Sequence, residues 1–267
     1  DFLLQQDVSP TCDPISSGNS QLNCNSGDPG SVEEYIFESL PVSLPGVPPT
    51  AGWQFTWDNC CRNAAITNII NPSSAGFTLR ASMYPFVDPS TGIPTPADPC
   101  FDSSPEFKEQ PKTILCTGFP FSYSHNAFDE ELDELVYSWG EPLDDFLATY
   151  NPPIDPPVLT FNAPYTVSSP LPGSPTLDPS TGEVSYNANI SGNFVTCIKV
   201  QAWKCDQLVA EIYREVQVVL ISCPTMPGSP VPNNPPEVSA PFLDSITALP
   251  SYDTTVYAGS LVEFVID

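Results

Sequence analysis

Positive charge is what this chain has least of: Lys and Arg number 7 against 32 Asp and Glu, for a formal net charge of −25. Phosphate contacts need clustered cations, so nucleic acid and anionic bilayers are excluded as partners. Histidine is nearly absent as well. With His125 alone, multi-histidine metal sites and most hydrolase triads lose their imidazoles. No Gly-x-Ser-x-Gly elbow occurs, and no Cys-x-x-Cys pair that would announce structural zinc, an iron–sulfur cluster or thioredoxin chemistry. No run of 18 apolar residues could span a bilayer as a helix, so direct membrane insertion is not expected. The opening Asp1-Phe2-Leu3-Leu4-Gln5-Gln6-Asp7 lacks the basic and long apolar regions of a signal peptide. It reads as a mature N-terminus or an internal cut. The last residues, Leu261 to Asp267, break off inside an alternating apolar run, which reads as a piece of a longer chain.

Core-forming residues are plentiful. Hydrophobic residues make up 40% and aromatics 11% of 267 residues, too many for a disordered acidic tail and enough for about two domains. The nine cysteines are Cys12, Cys24, Cys60, Cys61, Cys100, Cys116, Cys197, Cys205 and Cys223. Without metal spacing, they read as disulfide candidates in an oxidising, extracytoplasmic compartment. Connectivity is not legible, and an odd number leaves one free or paired elsewhere. On a strand, Cys60 and Cys61 would point to opposite faces, so different partners, or one reduced thiol, are expected.

Strand signals dominate. Phe77, Leu79, Ala81 and Met83 alternate with Thr78, Arg80 and Ser82, and Trp53, Phe55 and Trp57 alternate with Gln54 and Thr56. Phe194, Ile198, Val200 and Ala202 share one parity, then a polar break at Lys204-Cys205-Asp206-Gln207 precedes Leu208, Ala210, Ile212, Val216, Val218 and Leu220. This predicts a long hairpin. Leu208, Ile212, Val216 and Leu220 also fit a helical spacing, but the Val-rich stretch after Val216 favours strand. Asp88-Pro89-Ser90-Thr91-Gly92 recurs as Asp178-Pro179-Ser180-Thr181-Gly182, a β-turn recipe in which Pro sets φ and Gly supplies positive φ. Nine prolines between residues 152 and 179 and seven between 224 and 241 mark loops, strand edges and linkers.

The expected fold class is therefore all-β, as tandem antiparallel immunoglobulin-like β-sandwich domains with Pro-rich loops and linkers. Residues 1–104 form the first sandwich and 105–223 the second, followed by a linker at 224–236 and the start of a third, truncated sandwich at 237–267.

Several separated motifs then occur in order: Trp57-Asp58-Asn59-Cys60-Cys61-Arg62-Asn63, Ile69-Ile70-Asn71-Pro72, Ser104-Pro105-Glu106-Phe107, Pro120-Phe121, and Ala127 through Ser138. With Asp178 to Gly182, Gly192-Asn193-Phe194-Val195 and Cys223, the stretch 50–223 resembles large modular Bacteroidota surface proteins. These are of the gliding-motility-associated, type IX-secreted kind. The second sandwich resembles their cadherin-like and PKD-like modules, in which Asp-x-Asp-Gly-Asp opens a strand. Here Asp129, Glu131 and Asp133 take the acidic positions, and Leu132 stands where the family has glycine. Asn233-Asn234-Pro235-Pro236 resembles the joint between such repeats, and Asp267 fits the first acidic position of a third.

The residues offer few chemical candidates. Asp129, Glu131 and Asp133 would share one face if extended, which suits calcium, an ion that takes six to eight oxygens; Asp144, Asp145 or Asn233 could complete the shell. His125 reads as a loop histidine without a nucleophile, and Glu33 and Glu34 as a chance pair among many acids. No enzyme is expected. Trp53, Trp57, Trp139 and Trp203 could supply a carbohydrate platform, although Trp53 and Trp57 read first as core. The expectation is a structural module of a long secreted cell-surface adhesin or extracellular filament. It would act as spacer and assembly unit beside adjacent modules of the same chain and homo-oligomeric or filament neighbours. The alternative is a calcium-dependent glycan-binding module.

Overall fold

The computed structural model describes residues 2–7, 33–95, 103–111, 114–146, 156–222, 242–243 and 250–251. The chain divides into two compact units, Asp1–Ser222 and Cys223–Asp267. The first unit begins with β1 (Phe2–Asp7), β2 (Glu33–Phe37), β3 (Trp53–Asn59), a 3₁₀ turn at Pro72–Ser74, β4 (Phe77–Met83), β5 (Phe86–Val87) and β6 (Pro94–Thr95). It continues with β7 (Glu106–Phe107), β8 (Ile114–Cys116), β9 (Pro120–Ser124), β10 (Ala127–Phe128), β11 (Glu134–Trp139), β12 (Thr176–Leu177), β13 (Glu183–Asn187), β14 (Gly192–Lys204) and β15 (Gln207–Ile221). The second contains β16 (Phe242–Leu243) paired antiparallel with β17 (Pro250–Ser251). Calcium-shell candidate Asn233, the linker 224–236, Cys12, Cys24, Cys100 and Cys223 lie outside the described residues. Among the described residues no helix is long and apolar enough to cross a membrane.

The strand reading of residues 194–220 holds. β14 and β15 form one hairpin, and the polar break becomes a two-residue turn at Cys205 (φ 49°) and Asp206 (φ 60°). Positive φ at both central residues matches the right-handed twist of the flanking strands. This hairpin is the spine of a six-stranded sheet in the order β11-β14-β15-β4-β3, with β8 joining β15 in parallel. A three-stranded sheet, β12-β13-β9, packs across it. Phe194, Ile198, Val200, Ile212 and Val218 from the large sheet meet Val184 and Tyr186 from the small one, all buried. Each such side chain stabilises the fold by about 1.5–3 kcal/mol. The result is an all-β, sandwich-like unit.

The boundary expected between residues 104 and 105 falls inside this unit. β3 and β4 precede it, yet β4 pairs with β15 through Ala210↔Met83, Glu211↔Ser82 and Ile212↔Ala81. The segment before residue 104 thus extends the sheet of the segment after it.

The other face of the hairpin is covered by loops. Val195 packs with Ile66, Ile69 and Leu159. Asn68, fully buried, donates from Nδ2 to the carbonyls of Pro170 and Val195 and accepts the Val195 N–H at Oδ1. One amide side chain thereby satisfies backbone groups that burial would otherwise leave unpaired. β4 departs from the simple inside–outside reading, because Thr78 and Ser82 are buried while Phe77, Leu79, Ala81 and Met83 are half-buried. The Thr78 hydroxyl donates to the Asp144 carbonyl at 2.6 Å, and this bond makes its burial tolerable.

Candidate functional site

The acidic turn 129–133 follows the short strand β10. Leu132 adopts φ 63° and is 79% exposed, so the turn keeps the left-handed conformation that glycine would favour, with leucine in it. The turn is closed by the Leu132 N–H donating to the Asp129 carbonyl at 3.2 Å and the Asp133 N–H donating to Asp129 Oδ1 at 3.0 Å. The three carboxylates diverge. Asp129 is 3% exposed, its Oδ2 has no hydrogen-bond partner, and burial pushes its carboxyl above the usual range. Glu131 turns to Ser103, accepting the backbone N–H at 2.9 Å and the hydroxyl at 3.0 Å. Burial opposes its charge, but those donations outweigh it and hold the Glu131 carboxyl below its ordinary value. Asp133 Oδ2 lies 3.9 Å from Lys204 Nζ.

Asp144 and Asp145 are elsewhere. Asp144 Oδ1 accepts the Gly76 N–H at 2.7 Å and the Asp145 N–H at 2.9 Å, at the entry to β4. Among the described residues no three His, Cys, Asp or Glu side chains converge as a metal-holding group. Among the described residues the acidic turn thus supplies less than the six-to-eight-oxygen shell that calcium takes.

His125 is buried between aromatic rings, 5.2 Å from Tyr123 and 6.3 Å from Phe107 by centroid. It lines a cavity of about 20 Å³ between the two sheets, with Tyr186 and Thr196 also in the wall. Burial, and secondarily the Arg214 guanidinium, push its pKa down to about 4. Arg214 lies 4.0 Å over the Phe107 ring and donates to the Glu109 carbonyl at 2.6 Å. The imidazole is thus held neutral, and its Nδ1 is buried without a hydrogen-bond partner.

One buried charge pair escaped the sequence reading. Arg62, next to the paired cysteines, forms a bidentate ion pair with Glu215 on β15. Its Nε donates to the Gly76 carbonyl at 2.6 Å and its Nη2 to the Leu143 carbonyl at 2.9 Å. The only sequence signal was the scarcity of cations, which makes each one in an apolar context worth following.

The cysteines resolve in three ways. Cys60 and Cys61 are bonded to one another, across a cis peptide. The expectation of separate partners assumed a strand, but β3 ends at Asn59, so alternation does not apply to them. Cys116 is also disulfide-bonded, to a cysteine outside the described residues. Cys197 and Cys205 are free thiols, the first buried and the second exposed in the hairpin turn. Burial, reinforced by Glu215, pushes the Cys197 thiol far above its ordinary value.

The four tryptophans do not form one platform. Trp53 and Trp57 are on β3, Trp139 on β11 at the opposite end of the sheet, and Trp203 on β14. Phe55, read from sequence with its neighbours as core, is 48% exposed. Trp57 lies between Phe37 (centroids 5.1 Å) and Phe77 (5.5 Å), beside an open groove of about 1080 Å³ that Cys60 and Cys61 help to line. Comparison with family models, with curated proteins and with solved structures found no match.

Proposed function

We propose that this chain is a structural module of a long, secreted bacterial surface protein, acting as spacer and assembly unit in an adhesin or extracellular filament. Its sandwich-like unit would belong with immunoglobulin-like modules of the cadherin and PKD kind. The observation that carries the reading is the spine of the first unit, a hairpin of 13- and 15-residue strands at the centre of a six-stranded sheet. So long an antiparallel ladder must break many backbone bonds together when sheared, which suits a passive mechanical part. Oxidised Cys60, Cys61 and Cys116 support an extracytoplasmic setting. The −25 charge keeps such a surface from sticking nonspecifically. Gold-labelled antibody against the chain, applied to intact and to permeabilised producing cells, tests the location. Labelling of intact cells is expected; label only after permeabilisation would refute the reading.

The groove beside Trp57 favours a second reading, glycan binding at the working end of an adhesin. The tilted rings of Phe37, Trp57 and Phe77, with Thr56, Asn59 and Ser39 also on the walls, suit the mixed apolar and hydroxylated surface of a sugar ring. Saturable quenching of tryptophan fluorescence by a glycan panel would support it, and no response from any glycan would dismiss it.

A further inference from the structure

Asp133 and Lys204 meet at one end of the large sheet. β11 and β14 pair antiparallel with Glu134 opposite Trp203, so the register carried one rung further sets Asp133 opposite Lys204, the last residue of β14. Residues directly opposite in such a ladder have Cβ atoms about 4.5–5.5 Å apart, a gap that a lysine stem spans. Lys204 Nζ stands 3.9 Å from Asp133 Oδ2, and the two side chains are 18% and 8% exposed.

As a salt bridge this pair is poorly made. Ammonium–carboxylate hydrogen bonds close to about 2.7–2.9 Å, yet Asp133 Oδ2 is buried and accepts no hydrogen bond. A second buried acid stands against it. Asp129 Oδ1 accepts the Asp133 N–H at 3.0 Å, and Asp129 Oδ2 is also buried without a partner. Burial, with the Asp133 charge adding to it, pushes the Asp129 carboxyl up, so this acid holds a proton more readily than an exposed one.

Two other lysine–carboxylate pairs lack these features. Lys108 and Glu106 are 51% and 68% exposed. Glu211, 3.8 Å from Lys199, already accepts Gln201 Nε2 at 2.8 Å and the Tyr213 hydroxyl at 2.6 Å. Within the acidic turn itself, Glu131 is taken up by Ser103. An amine, a carboxyl with an unused buried oxygen and a buried proton carrier come together at Lys204, Asp133 and Asp129.

We propose that Lys204 and Asp133 condense into an intramolecular isopeptide bond, an amide that ties the residue before β11 to the end of β14. The Lys204 nitrogen bonds to the Asp133 carboxyl carbon, and the bond from that carbon to one carboxyl oxygen breaks. Asp129 gives its proton to the departing oxygen and takes one from the nitrogen; a second ammonium proton follows by the same relay. The oxygen leaves as water. Ammonium and carboxylate are consumed, amide and water are formed, no electrons are exchanged, and Asp129 ends as it began. Bulk water favours the separate ions, but a site that excludes water and holds the groups in contact supplies effective concentrations of up to about 10⁵–10⁸ M. Hydrogen bonds between β11 and β14 could then break without the strands separating at this end. The inference deepens the reading of the chain as a passive mechanical part and rests on that reading for its purpose.

Mass spectrometry of the full chain, reduced, alkylated and denatured, tests it. The parent chain should be lighter than its sequence by one water, and proteolysis should release a branched peptide that joins the segments holding Asp133 and Lys204. Lys204→Arg keeps the charge and cannot form the amide, so it should show the full mass with an unchanged far-ultraviolet spectrum. Asp129→Ala should be isolated largely at full mass, since a proton relay of this kind is worth about 10²–10⁴-fold in rate. A parent chain at full mass, or a Lys204→Arg chain that still lacks the water, would overturn the inference. An Asp129→Ala chain condensed as completely as the parent would overturn the relay. The branched peptide is read on the parent chain, so the test survives a variant that fails to fold. Surface labelling of cells is independent of these masses, so failure of the bond and failure of the extracellular reading are told apart.

Discussion

Replacing Arg62 with Met should be the most damaging single change outside the hydrophobic core. The guanidinium satisfies the Gly76 and Leu143 carbonyls and both oxygens of Glu215. The side chains of Arg62 and Glu215 are only 3% and 12% exposed. Removing one partner of a buried pair leaves the other charge uncompensated, at about 3–5 kcal/mol. With a denaturant dependence of about 2–3 kcal/mol per molar, the urea midpoint should fall by more than about 1 M. Burial already pushes the Glu215 carboxyl up, against the pull of Arg62. Without Arg62 it rises further above its unfolded value, so the deficit should be largest near neutrality and shrink as pH falls through the carboxylate range. The double variant Arg62→Met/Glu215→Leu should recover most of the loss, because an apolar pair of similar volume is often as stable as the ion pair. Urea unfolding followed by tryptophan fluorescence at neutral and at acidic pH gives all three quantities. A single-variant loss under about 1 kcal/mol, or a double variant no better than the single, would refute the reasoning.

Cys205 is exposed and Cys197 buried, so iodoacetamide should label Cys205 in the native protein and Cys197 only after denaturation; peptide mapping reads the sites. Leu132→Gly should stabilise the fold by about 1 kcal/mol, since leucine at φ 63° bears a strain that glycine does not; thermal unfolding measures it. His125 is held neutral with a pKa of about 4, against about 6.5 when unfolded. The unfolded chain therefore binds the extra proton first as pH falls through that window. Stability should drop there by up to roughly 3 kcal/mol, and His125→Phe should flatten that part of the profile. Because the carboxylates of the acidic turn diverge, calcium added after chelation should shift the melting temperature by less than about 1 °C. A rise of several degrees would contradict that geometry.

Local chemistry was legible in the sequence and distant pairing was not. The β14–β15 hairpin announced itself through alternation on both sides of a polar break, because a two-sided strand pattern and its turn are read within a few residues. The two Asp-Pro-Ser-Thr-Gly turns are built alike: Asp88 and Asp178 each accept a Ser N–H at 2.8 Å, and Gly92 and Gly182 both have φ 68°. Hydrogen bonds from Ser180 and Thr181 hold the exposed Asp178 carboxyl down to about 2. In contrast, nothing near Met83 says that it will pair with Ala210, and a domain boundary was placed where the sheet is continuous. Thr78 and Ser82 are buried because β4 is covered by distant chain, including Asp144, which no alternation pattern encodes. Of the expected site, residues 129–133 were read as extended, whereas they form a turn with Leu132 at φ 63°, a conformation that a leucine does not announce. The direction of each carboxylate depended on Ser103 and Lys204, 28 and 71 positions away from their acids in the chain. The pairing of Arg62 with Glu215 spans 153 positions and was silent for the same reason.

Electron cryo-microscopy of material sheared from the surface of producing cells tests the central claim most directly. If the chain is an exported building block, its two-sheet units should appear as repeated density along an extended surface structure, with the long hairpin recognisable in each. Finding the protein only in the cell interior, or on the surface as a dispersed species turning over a small molecule, would contradict the account.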